Sequence, residues 1–306
     1  RSIVVHGLQK LNNDPSPGIK KLIQVSGVQN QLSTYDLGFI LGPRINAVGR
    51  LSDPTDALRL LCSTSEVQAS KYASVLNNFN QDRQIIQKES TDIADKNIDL
   101  KNKIIFLSGK YNPGIIGLIS GRLTEKYYLP SIVISVDGDI AKGSCRSIPE
   151  LNIINALREY SDLFIDLGGH SGAAGFSILT KNITKLKKAL IKSVNLKLNK
   201  INLQPHLDVD AQIDISAINI KNIKSLKSLA PFGIGNPEPL FLFKNIIVES
   251  IHTICQNNDH LKIKSNNIDC LFFKNGNLIN KIKTGDSLDL VATLSINEWN
   301  NQSNPQ

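Results

Sequence analysis

The sequence predicts an α/β protein in which a small domain of short β-strands follows a larger layered region. Buried-strand runs alternate with helical patterns between residues 103 and 199, and this alternation is typical of a sheet covered by helices. A long polar helical pattern (residues 65–99) precedes that stretch. Short alternating strands with Asn and Gly turns follow residue 205, and they favour a small sandwich or barrel.

Residues 1–63 carry short helical patterns, and Asp53-Pro54 starts one of these helices. The segment GPRINAVGR (residues 42–50) combines rigid and permissive residues with two arginines, so we expect a loop. A phosphate-binding loop is one interpretation, but the bare pattern favours an ordinary loop, since no Lys-Ser or Lys-Thr follows the last glycine. The narrow apolar stripe of residues 65–99 predicts a helix that connects two domains.

The layered region and the strands after it can be divided into individual elements. In the layered region we predict strands at residues 104–107, 131–136, 141–147, 163–167 and 175–178, and helices at residues 114–126, 153–160 and 183–198. The later strands are predicted at residues 207–213, 241–251, 260–263, 268–273 and 287–296. The proline-rich cluster at residues 231–239 is interpreted as a linker into the barrel.

Length and composition exclude several classes of protein. A chain of 306 residues and 33.6 kDa suits two domains, and 41% apolar residues exclude wholesale disorder. No apolar run reaches the roughly 18–20 residues that span a bilayer, which excludes a transmembrane protein. Four cysteines lie far apart without a CxxC pair, which argues against a disulfide framework and against a zinc site. We therefore expect a cytoplasmic protein.

The charge balance is basic, with 35 Lys and Arg residues against 27 Asp and Glu and a formal net charge of +8. A nucleic acid or another polyanion is a compatible partner. The sequence is rich in Lys, Asn and Ile, however, and such a composition bias inflates the lysine count. The chain begins with Arg1 and contains no Met, so we expect it to be a piece of a longer protein.

The most informative motif is GGHSGAAG (residues 168–175), in which His170 follows the glycines Gly168 and Gly169. Glycines allow a backbone to approach a ligand closely, and a histidine there could donate to a phosphate oxygen. A glycine-rich turn with a hydrogen-bonded histidine is the structural alternative. The histidine among four glycines favours the functional interpretation.

A second motif, GSCRS (residues 143–147), places an arginine between two hydroxyl groups. On a strand, Ser144 and Arg146 share one face, so a guanidinium lies beside a hydroxyl donor. That pair suits a phosphate monoester or diester. An exposed strand with a surface arginine is an equally good interpretation of this segment alone.

Two further groups of residues are candidates for binding a metal ion or nucleobases. Asp208 and Asp210 share a face of a predicted strand, but no HxxEH or DxDxD cluster completes a metal site. Phe241, Phe272 and Phe273 could stack on nucleobases, although core packing is the favoured interpretation for most of them.

Together and in this order, the segments resemble the RecJ family of single-stranded-DNA-specific exonucleases, within the DHH phosphoesterase superfamily. The resemblance covers essentially the whole chain. It depends on GPRINAVGR (residues 42–50), GSCRSIP (143–149), GGHSGAAG (168–175) and the PFGIGNPEPLF stretch that ends at residue 241. The sequence departs from the family at Tyr111-Asn112-Pro113, where a Trp-His pair is usual, and at Cys145 and Glu150, where glycines are usual.

The resemblance implies four regions: the end of a DHH domain (1–63), a connector helix (64–102), a DHHA1 domain (103–199) and an OB-like nucleic-acid-binding domain (205–306). It also implies metal-dependent hydrolysis of single-stranded DNA from the 5′ end, in DNA repair and recombination. In the family the Mn²⁺ or Mg²⁺ ions are bound by aspartates and by the Asp-His-His triplet in the N-terminal part of the DHH domain. This sequence contains no Asp-His-His triplet. We therefore expect the metal ligands on a missing N-terminal part and expect the isolated chain to be inactive.

The resemblance also assigns residues. Ser144 and Arg146 would hold the 5′-terminal phosphate, and His170 would contact the phosphate being cleaved. Arg44 and Arg50 would neutralise the incoming strand. The full set of candidate substrate-binding residues is Arg44, Asn46, Arg50, Gly143, Ser144, Arg146, Ser147, Gly168 and Gly169. We predict no metal ligands in this chain.

Single-stranded DNA is the expected partner, with a helicase and a single-strand-binding protein as candidate protein partners and a monomer as the expected state. Two alternatives stay open. One is a smaller DHH/DHHA1 phosphodiesterase acting on oligonucleotides or cyclic dinucleotides, although such enzymes generally lack the extra barrel. The other is a non-catalytic module that binds single strands.

Overall fold

The computed structural model describes residues 1–299 and 302–306. Its α-helices over these residues are α1 (Ser2–Asn13), α2 (Pro17–Ser26), α3 (Gly42–Leu51), α4 (Thr55–Leu61), α5 (Glu66–Asp95), α6 (Ile116–Tyr127), α7 (Ile153–Arg158), α8 (Ile183–Leu198) and α9 (Ile220–Lys227). The strands are β1 (Ile105–Gly109), β2 (Ser131–Asp137), β3 (Ile140–Arg146), β4 (Phe164–His170), β5 (Ala173–Leu179), β6 (Ala211–Gln212), β7 (Phe241–Ile247), β8 (Ser250–Ile254), β9 (His260–Ser265), β10 (Ile268–Phe272), β11 (Ser287–Ala292), β12 (Ile296–Trp299) and β13 (Gln302–Pro305).

The chain divides into two units. One comprises Leu8–Pro205, and the other comprises Arg1–Gly7 with His206–Gln306. No helix among the described residues has the length and apolarity needed to cross a membrane.

Segments with helical periodicity in the sequence form helices in the structure. Helix α8 buries a stripe at spacings of three and four residues, namely Ile183, Leu186, Leu190, Val194 and Leu198. Helix α5 is 30 residues long, and its buried positions are mostly alanines, which let neighbouring helices approach closely. Helices are therefore confirmed within the predicted stretches at residues 65–99 and 183–198.

The first unit contains a five-stranded sheet in the order β1-β2-β3-β5-β4. Strands β1 and β2 are parallel, and the remaining pairs are antiparallel. On one face, Ile132, Cys145 and Phe176 belong to a core that includes residues of α7 and α8. On the other face, α6 packs on β1 and β2 through residues such as Val133 and Ile119. The predicted α/β layers are confirmed.

The segment at residues 42–50 is not the loop that we expected. It forms α3, which continues directly from a π-helical turn at Asp36–Leu41. Pro43 lies in the first turn of α3, directly after the π-helical turn, where its fixed φ suits a helix. The residues after it, through Val48, are all compatible with a helix, so a proline that indicated a loop lies instead at the change from the π-helical turn to the α-helix.

The β-rich unit also differs in detail from the prediction. The described strands form two three-stranded sheets, β10-β9-β8 and β11-β7-β6, and a ribbon of β12 and β13, so they do not close into one continuous barrel. The predicted strand at residues 207–213 is reduced to β6, and Asp210 instead accepts a hydrogen bond from the Leu240 N–H at 2.8 Å. The proposed shared strand face of Asp208 and Asp210 is therefore wrong.

The strand predicted at residues 241–251 is two strands, β7 and β8, because the chain leaves the first sheet after Ile247 and enters the second at Ser250. The strand predicted at residues 287–296 likewise ends at Ala292, and β12 begins at Ile296. Helix α9 had no counterpart in the prediction.

Candidate functional site

The register of the sheet brings two of the predicted motifs together. Arg146 pairs with Ala173, and Ala173 pairs with His170, so these residues form one row across β3, β5 and β4. Residues directly opposite each other in antiparallel strands project from the same face. Arg146 and His170 therefore lie on the same face, about 10 Å apart across two strand spacings.

The adjacent row joins Ser144, Gly175 and Gly168 in the same way. The alternation of the strand puts Ser144 on the face of Arg146, as predicted, while Cys145 between them is buried on the opposite face. Burial raises the pKa of the Cys145 thiol. No atom lies within 4 Å of the position that a side chain at Gly168 would occupy, so this row is open to a ligand.

Glycine is required at two positions beside these rows. Gly169 has φ +149°, and a Cβ there would lie 2.3 Å from the Ala173 carbonyl oxygen. A Cβ on Gly143 would lie 2.1 Å from the Phe176 ring, which covers the buried face. These glycines shape the sheet itself, and the motif at residues 168–170 is the end of strand β4 rather than a turn.

Helix α6 covers the open face only as far as β3, and two glycines make room there. A Cβ at Gly117 would lie 3.0 Å from Ser144 Oγ and 3.5 Å from Arg146 Nη2. Gly121 faces the Arg146 stem, with its Cβ position 3.9 Å from Cγ. The Arg146 side chain therefore passes along a glycine-lined side of α6. Asn112 Oδ1 accepts a hydrogen bond from the Gly114 N–H at 2.8 Å just before α6.

The end of α3 completes the site. A Cβ at Gly114 would lie 1.8 Å from the Arg50 carbonyl oxygen, so only glycine permits this approach of α3 to α6. Arg50 Nη1 donates to the Gly114 carbonyl at 3.2 Å. Arg50, Ser144 and Arg146 thereby line one open groove of about 360 Å³. Its other lining residues are Pro113, Gly114, Ile116, Gly117, Lys142, Gly143, Asp166, Phe176 and Ser177.

The groove carries an excess of positive charge. Three cationic side chains line it, Arg50, Lys142 and Arg146, against one carboxylate, Asp166. Over residues 1–299 and 302–306, the ion pairs involve none of these four. Arg146 is half-buried, and its Nη1 donates to the Cys145 carbonyl at 2.8 Å. A guanidinium fixed in this way beside a hydroxyl is suited to binding an anion.

His170 lies outside the groove lining but on the same face. The ring is exposed, and its Nδ1 accepts a hydrogen bond from the Gly172 N–H at 3.2 Å. An accepting Nδ1 places the proton of the neutral ring on Nε2, which is then available as a donor. The histidine is thus both hydrogen-bonded, as in the structural interpretation of its motif, and accessible, as the functional interpretation requires.

Gly168 and Gly169, like His170, lie beside the groove on β4 and are not part of its lining, and three further predicted residues are not brought into it either. Arg44 donates to Asn77 Oδ1 at 3.0 Å and to the Ile40 carbonyl at 2.7 Å, and partial burial lowers its pKa. Asn46 is exposed on α3. The Ser147 hydroxyl donates to the Leu151 carbonyl at 2.7 Å, so it serves the turn after β3.

Two charged groove residues were missed by sequence reasoning. Lys142 is two residues before Ser144, and the period of two along β3 was the signal that could have found it. Asp166 is likewise two residues before Gly168 and four before His170 on β4, so the same period was its signal. The bulge of β4 lies just before this stretch, between Phe164 and Asp166, and Asp166 pairs with Ser177 on the open face.

The family resemblance implies divalent metal ions, which would need suitable side-chain ligands. No three His, Cys, Asp or Glu residues lie together as a metal-binding group within the described part of the chain. Divalent cations such as Mg²⁺ prefer several oxygen ligands, whereas the groove offers one carboxylate among three cations. The groove residues therefore do not fit a divalent cation. They suit an anion instead.

The three phenylalanines of the second unit have different surroundings. Phe241 is buried in the core, and Phe272 is half-buried. Phe273 is 62% exposed and contacts His260 edge-on at a centroid distance of 5.3 Å. The core interpretation holds for Phe241, while Phe273 has a ring available for stacking.

Comparison with known proteins identifies two domain families in the chain. The DHHA1 domain family matches residues 101–196, and the RecJ OB domain family matches residues 209–306. The single-stranded-DNA-specific exonuclease RecJ of Bacillus subtilis is 32% identical over 100% of this chain and 40% of its own length. RecJ of Escherichia coli is 30% identical over 74% of this chain and 41% of its own length. The crystal structure of Thermus thermophilus RecJ in complex with Mn²⁺ has a TM-score of 0.85 at 24% identity, covering 98% of this chain and 44% of that one.

The five-stranded sheet, with a cationic groove on its open face, is followed by the β-rich unit, and the two regions match a DHHA1 domain and an OB-type domain. More particularly, the chain is homologous over its whole length to the RecJ exonucleases. It spans about two fifths of the length of these curated relatives (40% and 41%).

Proposed function

We propose that this chain is the substrate-binding part of a single-stranded-DNA-specific 5′→3′ exonuclease, and that its groove holds the 5′-terminal phosphate. The homology to RecJ exonucleases supports the activity. One observation carries the proposal for this chain: Arg50, Ser144 and Arg146 converge on a groove whose positive charge has no carboxylate ion pair among the described residues.

In this proposal the Arg146 guanidinium donates hydrogen bonds to the terminal phosphate, and the Ser144 hydroxyl donates another. Retention of that end sets the 5′→3′ polarity. His170, on the same row, donates from Nε2 to a phosphate farther along the strand, the one being cleaved. The roughly 10 Å row is longer than the rise of about 3.4 Å per nucleotide of a DNA strand, so it can span more than one phosphate.

The remaining elements of the proposal concern the whole protein. Residues 1–63, 64–102, 103–199 and 205–306 are assigned to the end of a DHH domain, the connector helix, the DHHA1 domain and the OB-like domain. Mn²⁺ or Mg²⁺ would be held by other residues than those described. We assign the protein to the cytoplasm as a monomer in DNA repair and recombination, with a helicase or a single-strand-binding protein as candidate partners. The OB-type region favours it over a smaller phosphodiesterase.

The test is equilibrium binding of 5′-phosphorylated and 5′-hydroxyl oligodeoxynucleotides, followed by fluorescence anisotropy. Arg146→Gln should weaken binding of the 5′-phosphorylated strand by about 10- to 100-fold, because a charge-assisted hydrogen bond is worth about 1.5–3 kcal/mol. Binding of the 5′-hydroxyl strand should change much less. The matched control is Arg122→Gln, which removes an exposed guanidinium that pairs with Glu125 on α6.

Equal losses on both strands would contradict the end-binding role of Arg146. A chain that binds neither strand would contradict the proposed function as a whole.

A second test addresses hydrolysis. We expect the purified 306-residue chain to release no nucleotides when Mn²⁺ is supplied, because its described residues offer no metal-binding group. Release of nucleotides from a labelled strand, lost in the Arg146→Gln variant of the same preparation, would show that the chain is catalytic by itself.

A further inference from the structure

The outer surface of helix α8 is strongly basic. Residues 181–200 contain seven lysines and neither Asp nor Glu, and each of these lysines is exposed. Lys and Arg together make up 35 of the 306 residues of the chain, so the share in this segment is about three times the average. The general richness of the sequence in lysine therefore does not account for the charge of α8.

The spacing of these lysines opposes helix formation. Lys185, Lys188 and Lys192 follow one another at three and four residues, so they form one row on the outer face, where like charges repel. Lys185 also lies in the first turn of α8, where the helix macrodipole disfavours a cation, and that turn contains no acidic residue. The buried stripe of the helix does not need these lysines, because they are exposed on the other side. A negatively charged partner would offset the repulsion.

A depression with an apolar floor lies beside this row. Leu196, one turn after Lys192, is 70% exposed. Ala189 and Ser193, also one turn apart, have small side chains that leave room next to it. The Tyr160 hydroxyl, just after α7, donates to the Ala189 carbonyl at 3.4 Å and so holds the ring against α8. This α8 depression has a volume of about 430 Å³ and is lined by Tyr160, Ala189, Lys192, Ser193, Leu196 and Lys197.

The lysines around the α8 depression differ in their partners. Lys197 pairs with Glu159, whose carboxylate also accepts a hydrogen bond from Ser193 Oγ at 3.1 Å. Lys188 and Lys192 belong to none of the ion pairs formed by residues 1–299 and 302–306. An ammonium group of this kind at the rim of an apolar floor is complementary to a carboxylate that neighbours an apolar side chain.

We propose that the outer face of α8 is a docking surface for an acidic segment of a partner protein. One apolar side chain of that segment fills the α8 depression, and its carboxylates pair with Lys188 and Lys192. A nucleic-acid backbone would use the lysines but not the apolar floor, so charge and shape together favour a protein.

The inference goes beyond the function proposed above and does not depend on it. Helix α8 belongs to the core on the face of the sheet that lies opposite the groove, so a partner on α8 and a DNA strand in the groove can bind at the same time.

The test is fluorescence anisotropy with a labelled peptide of Asp and Glu residues around one central Leu, and with a second peptide in which Ser replaces that Leu. The chain should bind the Leu peptide saturably and more tightly than the Ser peptide, and added salt should weaken the binding. Lys192→Glu and Leu196→Ser should each weaken it about tenfold, because the first replaces an attraction with a repulsion and the second removes the apolar contact.

Two substitutions on α5 are matched controls. Lys88→Glu makes the same change of charge at an exposed lysine, and Ile93→Ser removes an apolar side chain that is 57% exposed. Both should leave the peptide affinity within about twofold of that of the unaltered chain, since salt screens a distant charge. All four substituted side chains are exposed, so the variants should fold, which circular dichroism checks. Should one α8 variant not fold, the other decides.

The outcomes separate this inference from the proposed function. A chain that does not bind the Leu peptide, or binds the Ser peptide equally well, would overturn the docking surface and leave the strand-binding groove standing. Equal losses in the α8 variants and their controls would overturn it as well, because the peptide would then respond only to net charge. A loss of DNA affinity in Lys192→Glu that Lys88→Glu does not share would assign the face to DNA instead. A chain that binds the Leu peptide as expected but no DNA would contradict only the proposed function.

Discussion

Strands β3 and β5 have two faces that differ in what their side chains do. On one face, Ala141, Cys145, Ala174 and Ile178 are buried against the core under α7 and α8. On the other, alternate residues of the same strands are polar or small and remain partly or fully accessible, among them Lys142, Ser144, Arg146, Gly175 and Ser177. The same backbone therefore carries the packing on one side and the candidate phosphate site on the other.

A period of two thus separates the packing residues of this sheet from its candidate binding residues. Each candidate binding residue of β3 has a buried neighbour one position away, as Arg146 has Cys145. A change on the buried face should therefore cost mainly stability, and a change on the open face should cost mainly affinity or rate.

The largest expected effect lies on the buried face, at Phe176. Its ring covers Gly143 and packs at 4.9 Å from the Phe164 ring. Phe176→Ala should lower the free energy of unfolding by about 3–5 kcal/mol, through lost apolar burial and the cavity left behind. Urea denaturation followed by circular dichroism measures the change.

Ser177→Ala is the matched control for Phe176→Ala, because Ser177 is the next residue of β5 and faces the groove. We expect it to alter the free energy of unfolding by no more than about 0.5 kcal/mol. Comparable losses in the two variants would break the distinction between the faces.

The α/β region was largely predictable from the sequence because its signals are local. The helix at residues 183–198 repeats buried residues every three or four positions, and the alternation in residues 141–147 fixes which side chains share a face. The segment at residues 42–50 failed because Gly and Pro indicate a loop only when the preceding chain is not already helical. Here the π-helical turn at Asp36–Leu41 leads directly into α3.

The β-rich unit was less predictable because its strands are defined by partners that are distant in sequence. Residues 241–251 contain no Gly or Pro to mark a break, yet β7 pairs with β11 and β8 pairs with β9, so one uninterrupted segment contributes to two sheets. The exchange between sheets at Val248 and Glu249 is a tertiary feature that periodicity does not encode.

The chemistry of the candidate site was predictable from the sequence, but the full set of residues that form it was not. Residue types and spacing identified Ser144, Arg146 and His170, since strand alternation and the glycine motif are visible in the sequence. Arg44 was predicted together with Arg50, but it donates to Asn77 on α5 and to the Ile40 carbonyl instead. Helix-to-helix packing is absent from a single sequence, which is why the sequence could not separate Arg44 from Arg50.

The smaller expected effect lies on the open face, at His170. The exposed ring makes one hydrogen bond to its own turn, so His170→Ala should leave the free energy of unfolding within about 0.5 kcal/mol of the unaltered protein. In a nuclease-active form of the protein it should lower turnover by about 10²- to 10³-fold, the typical loss of one donor to a developing charge, and strand affinity much less. Single-turnover hydrolysis and anisotropy measure the two quantities, with Ser171→Ala as the control for the turn. If affinity falls by as much as turnover, His170 only binds the strand, and the open face would serve binding alone.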